Sequence, residues 1–200
     1  MVRQLLTVSR LDSGVLRPVA EVFALGPRVR RAWEALGASG VPFTLDDRAG
    51  GWLAIADPDQ VDQVIWGLLD NAVKYGGGTP ITVSVALVAG EGGTAGGRAA
   101  GGGTVRLRIA DGGPGIATAD RGRLFERYAR GTLPGAEDTG LGLYVSRELA
   151  RVNGGDLVLD PAEPRPADQL APGAIRSGRA SAATGAAFTL TLPAESPTEG

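Results

Sequence analysis

The sequence predicts an α/β fold, a two-layer sandwich in which helices pack on one face of a mixed, mostly antiparallel sheet. Three observations lead there. Apolar residues recur at helical spacing after Pro27, after Asp57-Pro58 and after Thr139-Gly140. Short runs rich in Val, Ile, Leu and Thr, bounded by Gly, Pro and Asp, read as strands. Finally, strands and helices interleave without a strict strand–helix–strand rhythm, which suits helices gathered on one side of a mixed sheet. The 200 residues fit one compact domain with some trimmings.

Met1 to Leu11 reads as the tail of a helix, with Leu5, Leu6, Val8 and Leu11 at three- and four-residue spacings and Asp12-Ser13-Gly14 as its stop. A frayed terminus and the end of a longer helix are both open, the second favoured by the pattern. Val19 to Leu25 carries strand residues, and Pro27 opens a helix to about Ala38 with Val29, Trp33 and Leu36 on one face and Gly40 ending it. Val41 to Leu45 and Trp52 to Ala56, flanking Asp46-Asp47-Arg48-Ala49-Gly50-Gly51, suggest a hairpin.

Asp57 caps the clearest helix, with Pro58 in its first turn; Val61, Val64, Ile65, Leu68, Leu69 and Ala72 form its apolar stripe, and Gly76-Gly77-Gly78 ends it. Ile81 to Val88 and Thr104 to Ala110 are strands joined by a Gly/Ala/Thr-rich loop. Another helix follows Thr139-Gly140, with Leu141, Leu143, Val145, Leu149 and Val152 inward and Asn153-Gly154-Gly155 as its stop. Leu157 to Leu159 and Ala187 to Leu192 are the last strands, separated by a second low-complexity loop from Pro161 to Gly185.

Composition narrows the chemistry. The chain has no cysteine and no histidine, which removes disulfides, thiolate metal sites and the commonest general base. Catalysis would rest on carboxylates, amides, Lys, Arg and a hard cation. A net charge of -2 gives no support to nucleic-acid binding. No apolar run nears the roughly 18 residues of a membrane span, and Met1-Val2-Arg3-Gln4 opens no signal peptide, so a soluble, cytoplasmic piece without membrane contact is expected.

Four segments carry the chemistry. Asn71, Lys74 and Tyr75 stand at i, i+3 and i+4, one polar face of the central helix. Asp111-Gly112-Gly113-Pro114-Gly115 follows a strand, so a carboxylate stands at a strand end beside glycines that admit close backbone approach. Gly140-Leu141-Gly142-Leu143 opens a helix, whose free N–H groups suit a phosphate. Between the two glycine segments runs Leu124-Phe125-Glu126-Arg127-Tyr128-Ala129-Arg130, a candidate to close over a polyphosphate. Each segment alone also reads as a plain turn, helix start or solvated face; their order is what is specific.

In that order they resemble the catalytic, ATP-binding domain of bacterial sensor histidine kinases, within the GHKL group that includes gyrase, the ninety-kilodalton heat-shock chaperone and MutL. Leu68 to Tyr75 looks like the N box, Asp111 to Ile116 the first glycine box, Leu124 to Tyr128 the F box and Thr139 to Leu143 the second glycine box. Asn153-Gly154-Gly155 and Gly185 to Pro193 resemble the closing segments. The resemblance implies the Bergerat fold, binding of ATP or ADP with Mg²⁺, and transfer of the γ-phosphoryl to a histidine.

It also implies roles. Asn71 would hold Mg²⁺ through its amide oxygen. Lys74 would reach the phosphates, Tyr75 and Ile116 line the nucleotide, and Asp111 accept from the adenine amino group, with Gly113 and Gly115 allowing the approach. Residues from about Ala117 to Thr139 would form a lid, including Phe125 and with Arg130 on the γ-phosphate; Thr139, Gly140, Leu141, Gly142 and Leu143 would make its hinge and the phosphate cradle.

Three departures stand out. Gly67 occupies the place, one turn before Asn71, where kinases of this kind carry Asn and gyrase-like ATPases a water-activating Glu, so nothing there can take a proton from water. Asn153 replaces the usual His of His-Gly-Gly, a change expected to be neutral. No phosphoacceptor histidine is present, so residues 1–14 are expected to be the truncated end of the dimerisation and phosphotransfer helix. Residues 15–193 would then be the catalytic domain and 194–200 a flexible tail. The implied partners are the histidine-bearing dimerisation domain of the same kinase and a response regulator, in a homodimeric full-length protein whose isolated fragment is monomeric and whose membrane anchor, if any, lies upstream. A nucleotide sensor without transfer, and a gyrase-like ATPase, are the alternative functions.

Overall fold

A computed structural model of the chain describes residues 7–11, 13–88, 102–129, 139–161 and 185–196. The strands are β1 (Glu21–Phe23), β2 (Phe43–Arg48), β3 (Leu53–Ala56), β4 (Ile81–Val88), β5 (Gly103–Ala110), β6 (Asp156–Leu159) and β7 (Ala187–Glu195). The helices beyond residue 11 are α1 (Leu25–Leu36), α2 (Pro58–Tyr75), α3 (Thr118–Arg121) and α4 (Gly142–Val152). The strands form one seven-stranded sheet in the order β1-β3-β7-β5-β4-β2, with β6 also on β7. All pairs are antiparallel except β2 with β4, so the sheet is mixed and mostly antiparallel as expected.

Strand periodicity sets the two faces. Val83, Val85, Val105, Leu107, Ile109, Leu190 and Leu192 alternate onto one face and are buried, while Thr82 and Arg106 on the other face are exposed. The helices α1, α2 and α4 cover the apolar face, α2 in the middle, touching both neighbours. Its stripe of Val64, Ile65, Leu68 and Leu69 is at most 1% exposed; each such side chain contributes about 1.5–3 kcal/mol by leaving water. Asp57 caps α2 as the sequence implied, its Oδ1 accepting from the N–H groups of Asp59 and Gln60 at 3.1 Å.

Four details differ from the sequence reading. Val41–Leu45 and Trp52–Ala56 do not make a hairpin. β2 aligns Phe43 and Leu45 with Ile81 and Val83 of β4, whereas β3 pairs with β1 and β7. The larger apolar interface on β4 outweighs the local turn, and Trp52 in the connection packs beside Gly103 and Leu87. Helix α1 ends at Gly37, in the left-handed region with φ 58°, rather than Gly40, and it begins two residues before Pro27. β7 continues through Pro193 to Glu195 because Ala194 and Leu53-Ala54 complete its pairing, so the sheet passes the expected boundary at 193. Of the N-terminal helix, residues 7–11 are helical with Val8 buried; Leu5, Leu6, Asp12 and most of the two low-complexity loops lie outside the described residues. Among the described residues no helix is long and apolar enough to cross a membrane.

Candidate functional site

Two contacts fix how α2 and α4 lie. The Asn153 side chain, at the C-terminal end of α4, accepts from the Asp57 N–H at 2.7 Å and donates to Gln60 Oε1 at 2.9 Å, both at the start of α2. Farther along, a Cβ built on Gly67 would stand 3.5 Å from Ser146 Oγ. The helices therefore run antiparallel, and continuing the register brings the open N-terminus of α4, Gly142, toward the turn of α2 that holds Asn71. That end has no side-chain cap; Leu141 lies at its N-cap. Its N–H groups and the helix dipole favour negative charge.

The other end of α2 meets the end of β5. Asp111 is 8% exposed, and its Oδ1 accepts from the N–H of Gly113 at 2.8 Å and of Ala186 at 3.2 Å. Gly113 is required here, since a Cβ would come within 2.8 Å of the Tyr75 carbonyl and 2.9 Å of Gly76 Cα. Thr79 ties the joint, donating to the Gly76 carbonyl at 2.7 Å and accepting from the Gly112 N–H at 2.9 Å. The carboxylate is thus held by backbone from two segments, a preorganised acceptor.

Asn71 is half-buried, and no hydrogen bond among the described residues occupies its amide. Lys74 pairs with Asp70 at 2.6 Å across one helical turn, so its ammonium is already engaged on α2. The half-buried Tyr75 brings its carbonyl against Gly113. Gly115 takes φ 73°, and the carbonyl of the half-buried Ile116 accepts from Arg121 Nε at 3.0 Å.

Phe125 packs edge-on to Phe188, centroids 6.4 Å apart, with the Arg147 guanidinium 4.7 Å from its ring centre. It anchors its segment to β7 and α4. Arg127 likewise donates to Tyr144 Oη at 2.7 Å. Tyr128 has φ 60°, the left-handed region that costs a side-chain-bearing residue roughly 1–2 kcal/mol, and it sits against Gly140. Gly140, with φ 65°, must lack a side chain, because a Cβ would come within 2.7 Å of the backbone of Tyr128 and Ala129. Thr139 Oγ1 accepts from the Leu141 N–H at 3.4 Å. The Leu141 side chain is 1% exposed, so only its backbone is available to a ligand, while Gly142 and Leu143 are half-buried. Arg130 lies outside the described residues.

The structure thus brings together Tyr75, Asp111 and Gly113 at one end of α2, and sets Asn71 toward Gly142. Sequence reasoning missed Thr79 and the anchoring work of Asn153. A threonine after three glycines and before a strand was the available signal for the first; the second depends on a contact 96 residues apart in sequence.

Below Asn153, Arg147 and Arg151 converge on Asp156, with Arg147 at 3.0 Å and Arg151 at 3.3 Å. Burial pushes the Asp156 carboxyl up, but the hydrogen bonds from Arg147 and the Leu157 N–H and the two guanidinium charges together outweigh it and hold it below the ordinary carboxylate range. Among the described residues no three His, Cys, Asp or Glu side chains stand together as a metal site.

Comparison with known proteins follows the same line. The family described as histidine kinase-, DNA gyrase B-, and HSP90-like ATPase matches residues 56–196. The signal transduction histidine-protein kinase AfsQ2 of Streptomyces coelicolor is 30% identical over 169 residues, covering 81% of this chain and 28% of that protein. The probable sensor histidine kinase HK of Mycobacterium tuberculosis is 29% identical over 76% of this chain and 37% of its own length, so the chain spans well under half of these relatives. Among solved structures, the mycobacterial sensor histidine kinase MprB has a TM-score of 0.62 at 25% identity, covering 90% of this chain and all of that one. Full-length ShkA in complex with AMPPNP has a TM-score of 0.70 at 20% identity over 98% of this chain and 35% of that one.

Proposed function

Because the chain belongs to the histidine kinase-, DNA gyrase B- and HSP90-like ATPase family, we propose that it is the ATP-binding catalytic unit of a two-component sensor histidine kinase. Its γ-phosphoryl acceptor is a histidine carried outside these residues, since the chain has none. The carrying observation is the layout along α2, with a fixed carboxylate acceptor at its C-terminal end and, one turn earlier, an amide facing the uncapped start of α4. One end suits the adenine amino group, the other the phosphates.

Each residue then has a task. Asp111, locked by Gly113 and Ala186, accepts from the base and rejects a purine that presents an oxygen there. The N–H groups opening α4 receive phosphate oxygens. Lys74, the more exposed partner of the pair with the part-buried Asp70, moves to the more highly charged triphosphate. Asn71 and the nucleotide's own phosphates are a donor set suited to Mg²⁺, a hard cation that needs few protein oxygens; when bound it supplies neutralisation of charge between the terminal phosphates. Gly67 offers no base to water, which favours transfer over hydrolysis. Catalysis is therefore positioning and charge stabilisation, the usual means of phosphoryl transfer. Homodimerisation through an upstream helical domain and delivery to a response regulator complete the proposed pathway of phosphate.

The test has two arms. Asn71→Ala is expected to lower Mg·ATP-analogue affinity at least tenfold by calorimetry, about 1.4 kcal/mol or more; an unchanged affinity removes Asn71 from the site. Mixing the chain with a histidine-bearing dimerisation domain and γ-labelled ATP should label that domain. Binding without any transfer would instead favour a nucleotide sensor.

A further inference from the structure

One buried hydroxyl has no part in the site as described. Ser146, one turn into α4, is 5% exposed, and no hydrogen bond among the described residues engages its Oγ. Every side-chain polar atom fully sealed from solvent among the described residues does have a partner, so this Oγ stands at an opening. The opening faces Gly67, whose absent side chain leaves a notch with the hydroxyl 3.5 Å from where its Cβ would be. An unpartnered hydroxyl in such a place forfeits roughly 1–3 kcal/mol unless something polar enters.

Gly67 precedes Asn71 by one helical turn on the same side of α2, and Ser146 follows Gly142 by one turn on α4. The notch therefore opens beside the phosphate end of the proposed nucleotide site and away from Asp111. Gly67 itself offers the hydroxyl no side chain to bond. Resting on the nucleotide reading above, we infer that Ser146 is a further binding residue for the polyphosphate of a nucleoside triphosphate, its hydroxyl donating to a phosphate oxygen through the notch that Gly67 leaves open.

Calorimetry with a non-hydrolysable ATP analogue and with adenosine tests this. Ser146→Ala is expected to weaken the analogue about tenfold and leave adenosine within about twofold, with the thermal midpoint retained. Gly67→Ala leaves the hydroxyl in place but fills the notch; it should weaken the analogue similarly while raising stability, since Ala is the better helix former. Analogue affinity within about twofold of the parent in Ser146→Ala, or an equal loss for adenosine, overturns the inference and leaves the nucleotide site standing. Failure of the unsubstituted chain to bind the analogue overturns the nucleotide reading itself.

Discussion

Replacing Asn153 by alanine tests the joint between α2 and α4 directly. The side chain makes three hydrogen bonds: it accepts from the Asp57 N–H at 2.7 Å, and donates to Gln60 Oε1 at 2.9 Å and to the Leu149 carbonyl at 2.8 Å. The losses are unequal. The Leu149 carbonyl keeps the Asn153 backbone N–H at 3.3 Å, and Gln60 keeps its bond to Asp57 Oδ2 at 3.1 Å, so each of these costs about 0.5–1 kcal/mol. The Asp57 N–H, under an 8%-exposed residue, loses its partner without easy access to water, a cost of about 1–3 kcal/mol. The sum, roughly 2–5 kcal/mol, is a large share of the 5–15 kcal/mol typical of a domain and should lower the melting temperature by about 4–20 °C. Urea unfolding read by circular dichroism, with an unchanged m-value, measures it. A loss below about 1 kcal/mol would refute the reasoning that this contact, and not mere helix termination, explains the residue. Asn153→His can keep one acceptor and one donor, and should recover most of the loss above the imidazole pKa but not below it, where both ring nitrogens donate.

Two further outcomes follow from the same geometry. Asp111→Asn retains an oxygen for the Gly113 and Ala186 N–H groups, so the fold should hold, while an NH₂ replaces the second carboxylate oxygen; adenine-nucleotide affinity by calorimetry should fall at least tenfold, and unchanged affinity would remove the base-recognition role. Asp156 has a folded-state pKa below its unfolded value, so its contribution is full above the unfolded value and is lost as pH falls through the folded one; because the pair with Arg147 is part-exposed it amounts to under about 1 kcal/mol. Asp156→Asn should therefore be less stable than the parent at pH 7 and converge with it in acid, and a difference that persists unchanged to pH 3 would contradict the assignment.

Much of the fold was legible because its cues are local. Asp57-Pro58 followed by a helical stripe needs only neighbours to be read, and the same holds for the alternation in Ile81 to Val88. The hairpin reading failed where local and distant cues compete: residues 46–51 look like a turn, yet Phe43 and Leu45 gain more by lying beside Ile81 and Val83. In the site, Asp111 and the glycines were readable because close backbone approach leaves glycine little substitute. The burial of Ser146 against Gly67 was not, since a serine on an amphipathic helix reads as a polar flank until the facing Gly67 is known.

β7 comes near the end of the chain but lies inside the sheet. One edge pairs with β5 along residues 187–194, and the other is shared between β6 at 188–191 and β3 at 194–195. Among the described residues β1, β3 and β6 join the rest of the sheet only through it. On a ribosome, the β2-β4-β5 half can assemble as it emerges, whereas β1-β3 and β6 wait with open edges until residue 195 is out. The interval before β7 emerges is therefore when the described strands expose most unpaired edge, the form of exposure that chaperones guard. Assembly of the final sheet depends on contacts distant in sequence and should be the slow step of folding.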